Sequence, residues 1–172
     1  MRAEQFRARQ APLKEAYRRS PEEARVTLSA TGRIGTGMTC RVETGRALVE
    51  AGLHPATGGT GMEACSGDMV LEALVACAGV TLGAVATALD IELRDAVVTA
   101  EGELDFRGTL GVSKDVPVGF ERIRLEVELD TDASDDQVAT LLRLTERYCV
   151  VAQTLRNPVD LGLRHERASA RP

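Results

Sequence analysis

Cys77 and Cys149 are the residues of this chain with the most chemistry open to them. Cys77 lies in Leu71-Glu72-Ala73-Leu74-Val75-Ala76-Cys77-Ala78-Gly79-Val80, and Cys149 in Thr145-Glu146-Arg147-Tyr148-Cys149-Val150-Val151-Ala152. Each belongs to its own apolar helical pattern. Neither has the spacing of a metal site or of a local disulfide. Brought together, two thiols on distant helices would form a redox pair that cycles between dithiol and disulfide. Both also fit a second reading, as small hydrophobes in a core, since free cysteine is among the most buried residues. Cys65 is a physical rival, because it stands in a Gly-rich approach to a helix N-terminus, where unpaired N–H groups favour a thiolate. Cys40 falls inside a strand and reads as packing. The chain has no CxxC pair, and His54 and His165 stand in unrelated segments. This argues against a zinc site and gives no signature for a Cys-His hydrolase.

A buried thiol needs nearby positive charge to ionise. Arg33, in Gly32-Arg33-Ile34-Gly35, is the candidate, because a glycine-flanked turn would project it over a helix end. Asp68, in the first turn of the Cys77 helix, would hold such an arginine by a bidentate pair. The plainer readings are a solvated turn arginine and a helix cap.

These side chains need elements to hold them. Residues 1–25 read as a helical arm, with Pro12 suited to a first helical position and Ser20-Pro21-Glu22-Glu23 in capping-box form. Residues 26–172 read as one domain. Val26, Leu28 and Ala30 alternate with polar neighbours as in a strand. Thr31–Gly35 reads as a turn. Met38–Glu43 and Ala47–Ala51 read as a hairpin around Thr44-Gly45, and Pro55–Gly61 as a loop. From Gly67 to Leu89 apolar residues occupy nearly every face, which predicts a helix buried all round, capped by Ser66 or Asp68. Val98, Ala100, Gly102, Leu104 and Phe106 alternate with polar residues, as do Ile123, Leu125, Val127 and Leu129. This predicts two long antiparallel strands, with Glu and Arg paired across their wet faces and a mobile connection over Arg107–Gly119. A second helix is predicted from Ser134, with Gln137 completing a capping box, through Cys149 and Ala152 to Pro158. Val159, Leu161 and Leu163 predict a closing strand. The order gives an α+β fold, an antiparallel sheet packed on two apolar helices.

Composition sets the outer bounds. A chain of 172 residues with 44% apolar content has enough interior for one packed core. Five aromatics and no Trp mean that the core is built from Ala, Val, Leu and Ile. A net charge of −5 argues against nucleic acid as a partner. Arg2, Arg7, Arg9, Lys14, Arg18 and Arg19 gather near the start but are interleaved with Glu4 and Glu15, as on a solvated face. No apolar run follows them, so no secretory signal is expected. The apolar stretch Ala73–Leu89 carries two Thr and two Gly and lacks aromatic or basic anchors. It is therefore read as core rather than membrane. Four cysteines without an export signal point to the reducing cytoplasm.

The words around the two cysteines resemble a known family. Cys65-Ser66-Gly67-Asp68-Met69-Val70-Leu71-Glu72-Ala73-Leu74-Val75-Ala76-Cys77 resembles the segment P-x-E-x-L-L-A-A-L-x-A-C of the OsmC/Ohr family, the osmotically inducible and organic hydroperoxide resistance proteins. Tyr148–Leu155 resembles the family's second word, C-P-V-S-x-T-L. Ala30–Gly35 resembles its T-G-G-R-D-G turn. The likeness runs from about Val26 to Arg164. In this chain Asp68 stands where the family has Glu, and Val150 stands where it has Pro.

The resemblance implies a cysteine-based peroxidase of organic hydroperoxides that needs no metal, haem or flavin. Cys77 would attack the peroxide and become a sulfenic acid, and Cys149 would resolve it as a disulfide that a dithiol reduces. Arg33 would lower the Cys77 pKa and polarise the peroxide, and Asp68 would orient Arg33. An intertwined homodimer is implied, with the site at its interface. Two further readings remain from the residues: a redox-inactive dimer holding an apolar ligand, and a structural dimer whose arm recruits a partner.

Overall fold

Alternation and capping residues account for most of the elements in the computed structural model. It describes residues 4, 5, 8, 11, 19, 31–34, 40–44, 47–157 and 159–166, with side chains at the first five, at 49–157 and at 159–166. The arm's Pro12, its Ser20–Glu23 box and the Val26–Ala30 strand lie outside the described residues.

Strands β1 (Thr31–Ile34), β2 (Cys40–Thr44) and β3 (Ala47–Gly52) are consecutive antiparallel neighbours. β2 and β3 pair as the predicted hairpin, with Thr44 opposite Ala47, and Gly45 lies outside the described residues. The turn expected over Thr31–Gly35 is instead strand β1 through Ile34, with Arg33 opposite Arg41. A pairing partner in β2 supplies the ladder that two local glycines do not reveal. The Pro55–Gly61 loop contains a 3-10 turn, Pro55–Thr57, capped by the His54 side chain and followed by Gly58 at φ 90°. His54 stacks on Phe106 with ring centroids 4.8 Å apart. β4 (Ala64–Cys65) adds a short parallel edge to β3.

α1 (Ser66–Leu89) starts from Cys65, whose side chain makes no capping bond, so neither Ser66 nor Asp68 is the cap residue. Asp68 does sit in the first turn, where the helix dipole favours a carboxylate. The helix ends in a Schellman arrangement. Asp90 takes the left-handed conformation at φ 60°, ψ 34°, its N–H reaches the Thr87 carbonyl, and the Ile91 N–H reaches the Ala86 carbonyl at 2.9 Å. Ile91 then folds into the core beside Leu82, Val85 and Ala86.

β5 (Asp95–Glu103) and β6 (Arg122–Asp130) form a separate antiparallel hairpin, with Val98 opposite Val127 and Gly102 opposite Ile123. The alternation is as predicted from Val98 onward except at Leu125, which is exposed in the single chain, and Arg124 pairs across the wet face with Glu103 at 2.8 Å and Glu101 at 3.7 Å. These exposed pairs contribute little to stability. β5 stops at Glu103, short of the predicted Phe106. Asp105 caps a short helix α2 (Phe106–Thr109) by accepting from the Arg107 N–H. Within the Arg107–Gly119 connection most residues are exposed, but Gly108 is buried and a Cβ there would lie 2.5 Å from the Pro117 carbonyl oxygen.

α3 (Asp135–Tyr148) begins with the predicted capping box, in which Gln137 N–H donates to Ser134 Oγ and Ser134 N–H donates to Gln137 Oε1. The helix does not run on to Pro158. It breaks at Cys149, which is extended at φ −71°, ψ 107°, and α4 (Val150–Arg156) starts anew. Two successive β-branched valines and a sulfur able to cap account for the break. The predicted closing strand is also absent. Val159, Leu161 and Leu163 have no strand conformation and are 61%, 91% and 99% exposed.

The core is one stripe of α1, formed by Leu74, Ala78, Leu82, Val85 and Ala86, covered by the β5–β6 face, α3 and α4. α1 is long and apolar enough to cross a membrane, but this stripe is buried against the rest of the fold. The expectation of burial on every face is met only in part, since Ala73, Ala76, Val80 and Gly83 stay open. Leu141 of α3 is fully buried against the stripe. Leu141→Ala is expected to remove about 2–5 kcal/mol of stability through lost transfer energy and a residual cavity. Urea denaturation should then show a lower midpoint with an unchanged slope.

Candidate functional site

Contact between α1 and the α3–α4 break brings the two cysteines together. Cys149 is 1% exposed and packs with Leu74 and Ala78, while Cys77 borders the same cluster with Val151 and Ala152. Cys149 closes α3 through its N–H to the Thr145 carbonyl at 2.9 Å. Its sulfur then accepts from the Ala152 N–H at 3.5 Å as the cap of α4. This leaves the first amides of α4, those of Val150 and Val151, near Cys77, where they favour charge on its sulfur. One turn further along α1, the Thr81 hydroxyl donates to the Cys77 carbonyl at 2.7 Å and lies against the same sulfur.

The two thiols are driven in opposite directions. Burial is the largest single influence on Cys77 and opposes ionisation. The Val151 amide, the Cys149 S–H, the Val150 amide and Thr81 together outweigh it and hold Cys77 below the ordinary thiol range. At Cys149 burial again opposes ionisation. The Ala152 amide offsets part of this, but donation to Cys77 and the charge on Cys77 add to it, and the Cys149 thiol is pushed up. Of the two, Cys77 is therefore the thiol that ionises first.

The remaining candidates stand elsewhere. Cys65 is half-buried at the start of α1, its sulfur near Gly67 alongside Leu104 and Phe120. Twelve residues of helix separate it from Cys77, roughly 18 Å along the axis. Asp68 is exposed, and among the described residues it makes no ion pair. It lies nine residues, roughly 13 Å, from Cys77 along α1, so it acts on that sulfur only through a long intermediary side chain. The backbone of Arg33 and Cys40 belongs to β1 and β2, and their side chains lie outside the described residues. Among the described residues no cluster of His, Cys, Asp and Glu suits a metal ion.

A cavity of about 320 Å³ opens against Cys149 between α1, β6, α3 and α4. Leu125, Leu142 and Leu155 form its larger walls, and its charged lining residues are Glu146 and Arg156, which pair with each other. Cys77 does not line it. Sequence reasoning did not find this cavity, nor the amides of Val150 and Val151. A main-chain donor leaves no residue signature, and the only hint was the Val-Val pair directly after Cys149.

The sequence model of a family described as OsmC-like protein matches residues 59–164 of the chain. No match is found among curated protein sequences. Solved structures share the fold. An OsmC-like protein from Mycoplasma pneumoniae superposes with a TM-score of 0.65 at 15% identity, covering 76% of this chain and 88% of that one. An organic hydroperoxide resistance protein OsmC from Legionella pneumophila gives 0.61 at 20% identity, covering 78% and 93%. The organic hydroperoxide resistance protein OhrB of Bacillus subtilis gives 0.52 at 22% identity, covering 78% and 94%.

Proposed function

This chain belongs to the OsmC-like protein family, and from that premise we propose that it is a thiol peroxidase reducing organic hydroperoxides through Cys77 and Cys149. The observation that carries the reading is the packing of Cys77 against the buried cluster of Cys149, with the two acidities driven in opposite directions. The Cys77 thiolate attacks the terminal peroxide oxygen. The O–O bond breaks, the alkoxide leaves and takes a proton to become the alcohol, and Cys77 becomes a sulfenic acid. Cys149 then attacks the sulfenic sulfur. The S–O bond breaks, hydroxide takes up the Cys149 proton to leave as water, and a disulfide forms. A dithiol returns the pair to its reduced state.

Arg33, whose strand leads into the same domain, would polarise the peroxide, and Asp68 would orient it. No metal, haem or flavin takes part in these steps. Residues 26–172 form the catalytic domain in this reading and residues 1–25 an appended arm. The cytoplasm supplies the reducing poise that the cycle needs.

The family's stress role and the hydroperoxide-resistance names of structural relatives support the substrate class. The deciding experiment is consumption of cumene hydroperoxide with dithiothreitol as reductant, with cumyl alcohol formed in equal amount.

A homodimer belongs to the same reading. The open stripe of α1, Ala73, Ala76, Val80 and Gly83, is apolar, and a Cβ placed at Gly79 or Gly83 would meet nothing within 4 Å beyond its chain neighbours and the adjoining backbone of α1 itself. Small residues on a long helix let a second backbone approach closely, and Val80 is 76% exposed in the single chain. In sedimentation equilibrium the protein is expected to have twice the mass of one chain, and Val80→Glu to reduce it to one.

A further inference from the structure

We propose that Gln153 is a positioning residue for the cysteine pair: its side-chain amide takes the place of the Val150 N–H on the Glu146 carbonyl, which keeps the α3–α4 break open at Cys149 and leaves the Val150 N–H to Cys77. The inference rests on the peroxidase reading of the same pair. It adds a residue at the position that the family's second cysteine word leaves unspecified.

A break in a helix strands hydrogen-bonding groups on both of its sides. In a continuous helix each N–H reaches the carbonyl four residues back. That rung is still made from Cys149 to Thr145, at 2.9 Å. The next rung would run from Val150 to Glu146. Cys149 is extended, α4 starts anew at Val150, and this rung is missing. The Val150 amide lies near Cys77 instead, where it favours charge on the sulfur.

Gln153 takes the carbonyl that Val150 gives up. Its Nε2 donates to the Glu146 carbonyl at 2.9 Å, reaching back seven residues to the last turn of α3. The amide is held with its nitrogen toward α3, because Asn157 Nδ2 donates to Gln153 Oε1 at 3.3 Å. The same Asn157 amide donates to the Gln153 carbonyl at 2.8 Å and closes α4 behind it. The Gln153 main-chain N–H donates to the Cys149 carbonyl at 3.0 Å, the first rung of α4. Gln153 thus grips the residue at the break with its main chain and the end of α3 with its side chain. The Glu146–Arg156 ion pair joins the same two helices, but it is exposed at both ends and fixes little by itself.

The two donors compete for one carbonyl. Once the side-chain amide is gone, the Val150 N–H is the donor that helix continuation would bring to Glu146, and each rung added to a formed helix costs only one further residue's freedom. α3 would then grow through Cys149, and the Val150 amide would be withdrawn from Cys77. Gln153 acts through that amide and touches neither sulfur's bonding partner in the reaction.

The test reads Cys77 without peroxide, by following its alkylation with iodoacetamide across pH and mapping the product by peptide mass spectrometry. Gln153→Met keeps the length of the side chain and removes the donor. The inflection is expected to move up with the high-pH plateau unchanged. The rate at neutral pH should fall severalfold, up to the factor of about ten that one hydrogen bond to a charged group is worth. The deciding comparison is made in a Val150→Pro background. Proline has no N–H for the Glu146 carbonyl to recapture, so Gln153→Met should move the inflection no further there. Shifts that add in full would mean independent sites and would overturn the proposal. An unmoved inflection in folded Gln153→Met protein, or in Val150→Pro alone, would also overturn it, with Gln153→Ala as the second variant should Gln153→Met not fold. The peroxidase reading falls on a different result, failure of the wild type to form cumyl alcohol, which leaves the alkylation profiles and their meaning intact.

Discussion

Cys77→Ser is expected to abolish turnover of cumene hydroperoxide, a loss of at least about a thousandfold, because a serine hydroxyl is neither ionised near neutral pH nor oxidised by peroxide. Cys149→Ser is expected to behave differently. Its Cys77 keeps the amides of Val150 and Val151 and loses only the S–H donor. One equivalent of cumyl alcohol should therefore appear in a single burst, with no steady state after it. The sulfenic acid left on Cys77 would lack the Cys149 thiol that resolves it and should react with dimedone, giving an adduct visible by mass spectrometry. The two variants together separate the attacking thiol from the resolving one. The result that sinks this assignment is turnover retained in Cys77→Ser. Cys65 would then be the next thiol to replace, since it is half-buried at the start of α1 and roughly 18 Å from Cys77.

What the sequence disclosed follows a physical pattern. Features set by local periodicity or local capping were legible: the span of α1, the Val98–Gly102 and Ile123–Leu129 alternation, the Ser134–Gln137 box and the β2–β3 hairpin. Features decided by tertiary partners were not. Val159, Leu161 and Leu163 alternate like a strand, yet none of the described strands pairs with them, and alternation without a ladder does not make a strand. β5 ends at Glu103 because Asp105 offers its carboxylate to the Arg107 amide, which outweighs the β preference of Phe106.

The site divides in the same way. Cys77 and Cys149 were legible from the words around them, but not their separate acidities. Those depend on a helix break at Cys149 that no Gly or Pro announces. Sequence reasoning looked for a cation to ionise Cys77 and nominated Arg33. The structure adds two peptide N–H groups, which a search among side chains cannot find, beside the thiol of Cys149.

Val150→Pro tests whether those peptide donors matter. The second cysteine word of the family carries Pro where this chain has Val150, so proline is compatible with the fold. The local geometry agrees. Cys149 is already extended at φ −71°, ψ 107°, the region a residue before proline prefers, and Val150 is the first residue of α4, where proline is well tolerated. The substitution therefore deletes one N–H and little else, and the thermal midpoint should not fall.

The chemistry should change. In the wild type the depressed Cys77 pKa means that the folded protein holds a thiolate at pH values where an unfolded chain holds a thiol. This contribution to stability is present above the unfolded pKa and is lost as pH falls through the folded one. The rate of Cys77 alkylation by iodoacetamide should accordingly leave its high-pH plateau at a lower pH in the folded protein than in the unfolded chain. Without the Val150 donor the inflection moves up, and the rate at neutral pH should fall by about tenfold, the worth of one hydrogen bond to a charged group. The expected signature is a shifted pH profile with an unchanged plateau at high pH. A uniform loss at every pH would mean that proline had displaced the cysteines instead. An unmoved profile would return the ionisation of Cys77 to Arg33, and Arg33→Ala would then have to carry the whole shift.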